Sequence, residues 1–406
     1  MDTSKDILFT PLQLRNFTVS NRFVRSATYE GWGDPNGVPK PQLADLYCEL
    51  ARGGVGMLIT GFVFTSKAGR AMQPAQCGIE TNTKVAPWQQ IVGRVRKAAP
   101  AVKLVMQIAH TGRQTRREAT GLPVVGASLR KCTYFRQRVE PLDDESIRTI
   151  IAEFADAAYR AKEAGFDGIQ IHAAHGYLVH QFLSPWTNTR TDRWSDPNSL
   201  LQQVIVAIRR KCGEPFPILV KLSAADDNTP GRRIEDTIRT VKHLEELEVD
   251  AVEISYGTME LALNIIRGAC PVNVVLEVNP LFNRIPRFLR GIWRTFFMKG
   301  YLKKFIPFGE NYNVPAAAQI KRETRLPVFA VGGIRSLEGM IACVTTHGLD
   351  AISLCRPLIC EPDLPSKIRN GASMRSKCTN CNLCTIYCDS SQPLRCYQKK
   401  RMKEEG

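Results

Sequence analysis

Residues 171-185 read IHAAHGYLVHQFLSP, in a chain of 406 residues with only six histidines. His172 and His175 stand three apart at the end of an apolar run, and Tyr177 follows two residues on. Imidazole N–H groups can donate to a shared oxygen or ligate a metal, and a phenol can give a proton to a reacting atom. As a bare pattern the pair reads as structural or as a metal site, which leaves a metal-dependent barrel lyase or hydrolase open.

A second chemical cluster lies near the end of the chain. KCTNCNLCTIYCDSSQPLRCY holds C-x2-C-x2-C-x3-C at Cys378, Cys381, Cys384 and Cys388, with Cys396 beyond. The first four have the spacing of a bacterial ferredoxin run, with Asp389 where that run has proline. Thirteen cysteines without a secretory signal argue for reduced thiols or metal ligands over disulfides. Four such thiolates suit a 4Fe-4S cluster or tetrahedral zinc, and the third reading is thiols that ligate nothing.

Eight short apolar runs could position these groups: 22-27, 57-64, 104-110, 168-174, 218-224, 251-257, 327-333 and 351-357. Helix-period segments separate them. The clearest is 144-164, where Ile147, Ile150, Ile151, Phe154, Ala157, Ala158 and Ala161 share one stripe, Asp143 or Asp144 can cap the start, and Gly165 follows the end. Strand and helix alternating eight times is the pattern of a parallel (β/α)8 TIM barrel, an α/β fold. A doubly wound sheet more often has fewer strands, and no G-x-G-x-x-G follows the first run. The expected organisation is a barrel over 1-370, an insertion at about 265-310 after the sixth strand, and a Cys-rich basic tail over 371-406.

Chemistry in such a barrel sits at the C-terminal ends of the strands. Those ends carry Ser26 and Thr28, Gly61, Gln107 and His110, His172 and His175, Lys221, Glu253 to Tyr256, Gly332 and Gly333, and Arg356. Glycine amides and an arginine after strands seven and eight suit a phosphate, although Gly332-Gly333 taken alone also reads as a tight turn.

The net charge of +16 is local: 280-305 carries +7 with no acid, and 366-406 carries +6. In the insertion, Ile285, Phe288, Leu289, Ile292, Trp293, Phe296 and Phe297 fall at helical spacing, with Arg284, Arg287, Arg290 and Arg294 between them. That composition fits a lid packed on the barrel mouth or a peripheral membrane contact through 280-305. No apolar stretch approaches the roughly 20 residues of a spanning helix, so the expectation is a soluble, cytoplasmic protein.

Five motifs in order, LRNFTVSNRFVRSA, QIAHTGRQ, GFDGIQIHAAHGYLVHQFLSPWTNTRTDRW, PVFAVGGIR and DAISLCRPL, resemble the old yellow enzyme family of FMN-dependent ene-reductases over about residues 7 to 370. The likeness is to the branch that includes dienoyl-CoA reductases and trimethylamine dehydrogenase. It implies an oxidoreductase that takes hydride from NAD(P)H onto FMN and reduces an enone- or enoate-type alkene. Gln107 would meet the flavin pyrimidine edge, and Lys221 would stand near N1 and O2. Ser26, Ala27, Thr28 and Gly61 would line the ring, and Gly332, Gly333, Cys355 and Arg356 would hold the phosphate. His172 and His175 would bind the substrate carbonyl and Tyr177 would donate the proton.

The sequence also departs from the family pattern. Tyr29 stands where a cysteine or threonine is usual, and Gly31 where one branch has a substrate-contacting tyrosine. Cluster-bearing relatives have C-x2-C-x3-C-x11-C, and the Cys384 to Cys396 gap keeps the eleven residues. The expectation is that an electron-transfer protein is the partner if a cluster is present, because the dinucleotide-binding domains of longer relatives do not follow. No nucleic-acid partner is expected, since His172, His175 and Tyr177 occupy the face where tRNA-modifying FMN barrels place a cysteine. Oxidative amine demethylation is the alternative within flavin chemistry.

Overall fold

β-branched and apolar runs buried on both faces form parallel strands, and all eight runs do so. The computed structural model describes residues 4-398, apart from the side chains of Phe297 and Lys299. The barrel strands are β1 Phe23–Arg25, β2 Met57–Ile59, β3 Lys103–Ala109, β4 Gly168–Ala173, β5 Ile218–Ser223, β6 Ala251–Ser255, β7 Val328–Val331 and β8 Ala351–Leu354. Each pairs in parallel with the next, and β8 returns to β1 through Ile352↔Phe23 and Leu354↔Arg25, which closes the ring.

The period of two along each strand divides the interior into levels. Val24, Met57, Ile59, Val105, Leu219, Ala251, Phe329 and Ala351 form the lower level, plugged from below by Leu12, Leu14 and Val19 of an antiparallel ribbon. Two residues further along, the same strands turn polar: Ser26, Gln107, Lys221, Glu253 and Ser353 are all buried.

The outer helices are α1 Gln42–Arg52, α2 Val85–Ala98, α3 Asp144–Glu163, α4 Ser199–Cys212, α5 Ile234–Glu246, α6 Val314–Lys321 and α7 Leu337–Thr345, with Arg356–Cys360 and Leu364–Arg369 after β8. α3 matches the stripe read from the sequence. The Asp143 carboxylate accepts from the Ser146 amide at 2.8 Å, and Gly165 takes φ +88° beyond the end.

Two segments cover the mouth. The apolar stripe read from the insertion lies on helical turns that run without a gap over 287-302, passing from 3-10 to α to π geometry, and Pro286 at φ −53°, ψ 141° separates this run from Val272–Val278. Its inner side buries Val275, Leu276 and Met298, and Phe282 packs at a tilt against Trp293 with ring centroids 5.6 Å apart. The described part of the tail crosses the mouth: the Ala269 amide donates to the Asn380 carbonyl at 3.0 Å, and the Leu394 amide to the Glu30 carbonyl at 2.8 Å. Gly31 makes this crossing possible, since a Cβ there would lie 3.3 Å from the Gln392 carbonyl oxygen.

Glu30 is the buried anchor of this corner. It pairs with Arg25 at 3.1 Å, and it accepts from the Gly61 amide at 2.5 Å and the Tyr47 hydroxyl at 2.7 Å. Replacing Glu30 with alanine leaves Arg25 charged and buried, and should destabilise the chain by about 3–5 kcal/mol. Chemical denaturation measures this; a loss under about 1 kcal/mol would show that the corner tolerates an unpaired guanidinium.

Candidate functional site

The polar level of the barrel is one connected network. Gln107 donates to Gln170 at 2.7 Å, Gln170 to Glu253 at 3.1 Å, and Lys221 to Ser26 at 2.9 Å while pairing with Glu253 at 3.0 Å. Strand register makes these neighbours, for Lys221 lies opposite His172 on β4 and Glu253 on β6. Burial alone would raise the Glu253 carboxyl, but the Lys221 ammonium together with hydrogen bonds from Ser353, Lys221 and Ser26 outweighs it and holds its pKa below the usual range.

Above this level β4 ends in a tight turn. His175 at φ +60° and Gly176 at φ +80° reverse the chain, and the His175 amide is fixed by the Ser223 hydroxyl at 3.0 Å. The turn brings the three predicted residues together: ring centroids are 5.1 Å apart for His172 and His175, and 4.6 Å for His172 and Tyr177. Phe62, which the sequence reading missed, packs on Tyr177 at 5.5 Å and on His172 at 6.4 Å.

Burial, with the nearby Lys221 charge, pushes the His172 pKa well below 6.5, and burial does the same to His175. Both rings are therefore neutral at physiological pH. His172 Nδ1 accepts from the Ala174 amide at 3.3 Å, which leaves the proton on Nε2 as a donor. His175 Nε2 lies 2.8 Å from the Ser255 hydroxyl. Burial and then the Asp389 charge raise the Tyr177 phenol, so it too stays protonated. The cluster thus offers neutral N–H and O–H donors beside one fixed cation, an arrangement suited to an oxygen on which charge accumulates.

A cavity of about 110 Å³ runs from His175 to the ends of β7 and β8, with His172 and Tyr177 outside its lining. Ser26, Ala27, His175, Lys221, Gly332, Gly333, Cys355 and Arg356, all singled out from the sequence, line it. Gly332 and Gly333 both take left-handed φ, +139° and +81°, with the Tyr312 ring close enough that either Cβ would clash. Arg335, missed in the sequence, adds a second guanidinium to the lining. Arg356 is also held by the Arg267 carbonyl at 2.8 Å and Asn382 at 2.6 Å. Thr28 meets the Cys355 thiol at 3.1 Å, whereas Gly61 is turned to Glu30, whose Oε2 would lie 2.1 Å from an added Cβ.

The tail contributes a residue for which spacing gave no signal. Asp389 is half-buried beside the mouth, accepting from Gln73 at 2.8 Å and Asn279 at 2.5 Å; burial raises its pKa to about 6 against those bonds. Burial likewise pushes the Cys384 thiol up to about 12 and the Cys388 thiol well above its ordinary value. Cys388 is turned to the Cys384 carbonyl at 3.3 Å, and among the described residues no three Cys, His, Asp or Glu side chains converge as a metal-ligand set.

Neutral buried imidazoles have a direct signature. Histidine ring resonances of His172 and His175 should hold still in NMR spectra between about pH 5 and 8; a midpoint near 6.5 for either ring would refute their neutrality.

A family model described as NADH:flavin oxidoreductase / NADH oxidase matches residues 7–291. The match ends inside the insertion, and the barrel continues through β7 and β8 beyond it. The chain is 29% identical over 382 residues to a protein named NADH oxidase from Thermoanaerobacter brockii, covering 93% of this chain and 53% of that one. It is 28% identical over 397 residues to a metal reductase from Desulforamulus reducens, covering 96% and 53%. It therefore spans about half the length of these relatives. A solved complex of 2-naphthoyl-CoA reductase with 2-naphthoyl-CoA shares the fold, with a TM-score of 0.78 at 22% identity over 95% of this chain and 56% of that one.

Proposed function

The chain belongs to the NADH:flavin oxidoreductase / NADH oxidase family, and on that premise we propose that it binds FMN, accepts hydride from NAD(P)H and reduces an alkene conjugated to a carbonyl. One observation carries this reading: His172, His175 and Tyr177 converge as neutral donors beside Lys221. Bound FMN would supply the hydride chemistry. The residues present fit it. Lys221 is a buried cation held by Ser26 and Glu253 for the ring, and Gly332, Gly333, Arg335 and Arg356 offer backbone and guanidinium donors for a phosphate. The cavity, about 110 Å³, is smaller than the roughly 300–1,000 Å³ of small-molecule sites.

In this reading His172 donates from Nε2 to the substrate carbonyl oxygen and His175 supports the same oxygen. Together they draw electron density from the conjugated alkene, while Lys221 keeps positive charge beneath the site. Tyr177 hands its proton to the α-carbon, and its raised pKa keeps that proton in place until it is needed. Phe62, against both rings, excludes water from the donors. The metal-dependent lyase reading lacks support, since no third ligand joins His172 and His175 among the described residues. The half-buried Asp389 carboxyl near Tyr177 is the feature that favours amine demethylation, because a cationic substrate would seek it.

Tyr177→Phe should slow alkene reduction by about 10²- to 10⁴-fold while NAD(P)H still bleaches the flavin at the parent rate in anaerobic stopped flow. Equal slowing of both half-reactions would remove Tyr177 as proton donor, and bleaching by a methylated amine without NAD(P)H would favour demethylation.

The tail cysteines remain the proposed site of a 4Fe-4S cluster on their spacing, whereas the thiols as placed do not form the ligand set. Iron analysis of anaerobically purified protein separates the two. About four irons per chain, lost in Cys381→Ser, would establish the cluster; iron-free protein would make the tail a purely structural cover.

A further inference from the structure

We propose that the outer side of the insertion is a docking surface for an anionic lipid bilayer, a role independent of the chemistry at the barrel mouth. Phe288, Leu289, Ile292 and Phe296 project outward, with 80%, 39%, 54% and 75% of their surfaces exposed. They recur one turn apart within nine residues, along the short turns Arg287–Leu289, Arg290–Trp293 and Arg294–Met298. Large apolar side chains gathered this closely mark a surface that something covers. The fold does not cover them: the insertion turns Val275, Leu276 and Met298 inward and presents these four to solvent.

Charge identifies the occupant. Arg284, Arg287 and Arg294 are exposed among the apolar residues, Lys303 and Lys304 are exposed just beyond, and no carboxylate falls anywhere in 280-305. A protein partner of ordinary composition would bring acids to some of these positions and apolar groups to others. A bilayer surface supplies both at once, anionic headgroups for the guanidinium groups and acyl chains for the two phenylalanines. A second copy of this chain would meet the same positive charge and be repelled. Residues 399-406, KKRMKEEG, add four basic groups and a single methionine, and so share the sign of the surface. Phosphate-rich RNA matches the charge but gives no account of exposed phenylalanine and isoleucine without their bases stacked upon them.

The test uses the full-length protein and sedimented vesicles of phosphatidylglycerol mixed with phosphatidylcholine, against vesicles of phosphatidylcholine alone. Binding is expected to the anionic vesicles, to weaken with salt, and to fall at least about tenfold in both Phe288→Ser/Phe296→Ser and Arg287→Glu/Arg294→Glu. All four positions are exposed, and circular dichroism together with NAD(P)H oxidation checks that the variants are folded. Absence of sedimentation with anionic vesicles would overturn the proposal. So would vesicle binding indifferent to the phenylalanine pair, which would assign it to the basic tail, or salt-sensitive RNA binding in its place.

Discussion

An ammonium and a carboxylate, Lys221 and Glu253, lie 3.0 Å apart inside the barrel, both buried. Neither charge could be buried alone without a penalty of several kcal/mol. Their pairing, completed by Ser26 and Gln170, allows a polar level to sit directly on an apolar one. That level supports the floor of the mouth. It sets a positive charge beneath His172, helps to keep both imidazoles neutral, and leaves a cation where an electron-rich ring or a developing oxyanion would need one.

The neutral state of the donors follows from how the mouth is covered. Phe62 comes from the loop after β2, Asn279 from the insertion, Tyr312 from the segment that follows it, and Asp389 from the tail, and each meets a residue of the barrel mouth or of the other cover. Asn382 ties the tail to Arg356 and to the Ala269 carbonyl, so the phosphate-type end of the cavity and the tail share one set of hydrogen bonds. A change in tail conformation would therefore reach Arg356 and the donors near Tyr177 together.

Departures from the family pattern acquire physical reasons in the same contacts. Gly31, standing where a tyrosine contacts substrate in one branch, leaves the space that Gln392 and Pro393 occupy. Tyr29 is buried and its hydroxyl accepts from the Ala75 amide at 3.1 Å, which fixes the loop that also carries Gln73 to Asp389. The unusual residues at the first strand are thus those that receive the tail.

The sequence by itself determined the eight strands, the limits of α3 and the grouping of His172, His175 and Tyr177, because each rests on local periodicity or on residues within one turn. It also located most of the cavity lining, since strand ends in a closed parallel barrel all open on one face. Contacts between distant segments decided the rest. Glu30 claims Gly61, Arg335 joins Arg356, and Asp389 reaches Asn279 across 110 residues. The insertion's stripe reads as one apolar face in sequence and its helical turns run unbroken over 287-302, yet packing turns Met298 inward and leaves Phe288, Ile292 and Phe296 exposed. Periodicity reports which side chains share a face; only the packed chain decides what that face meets.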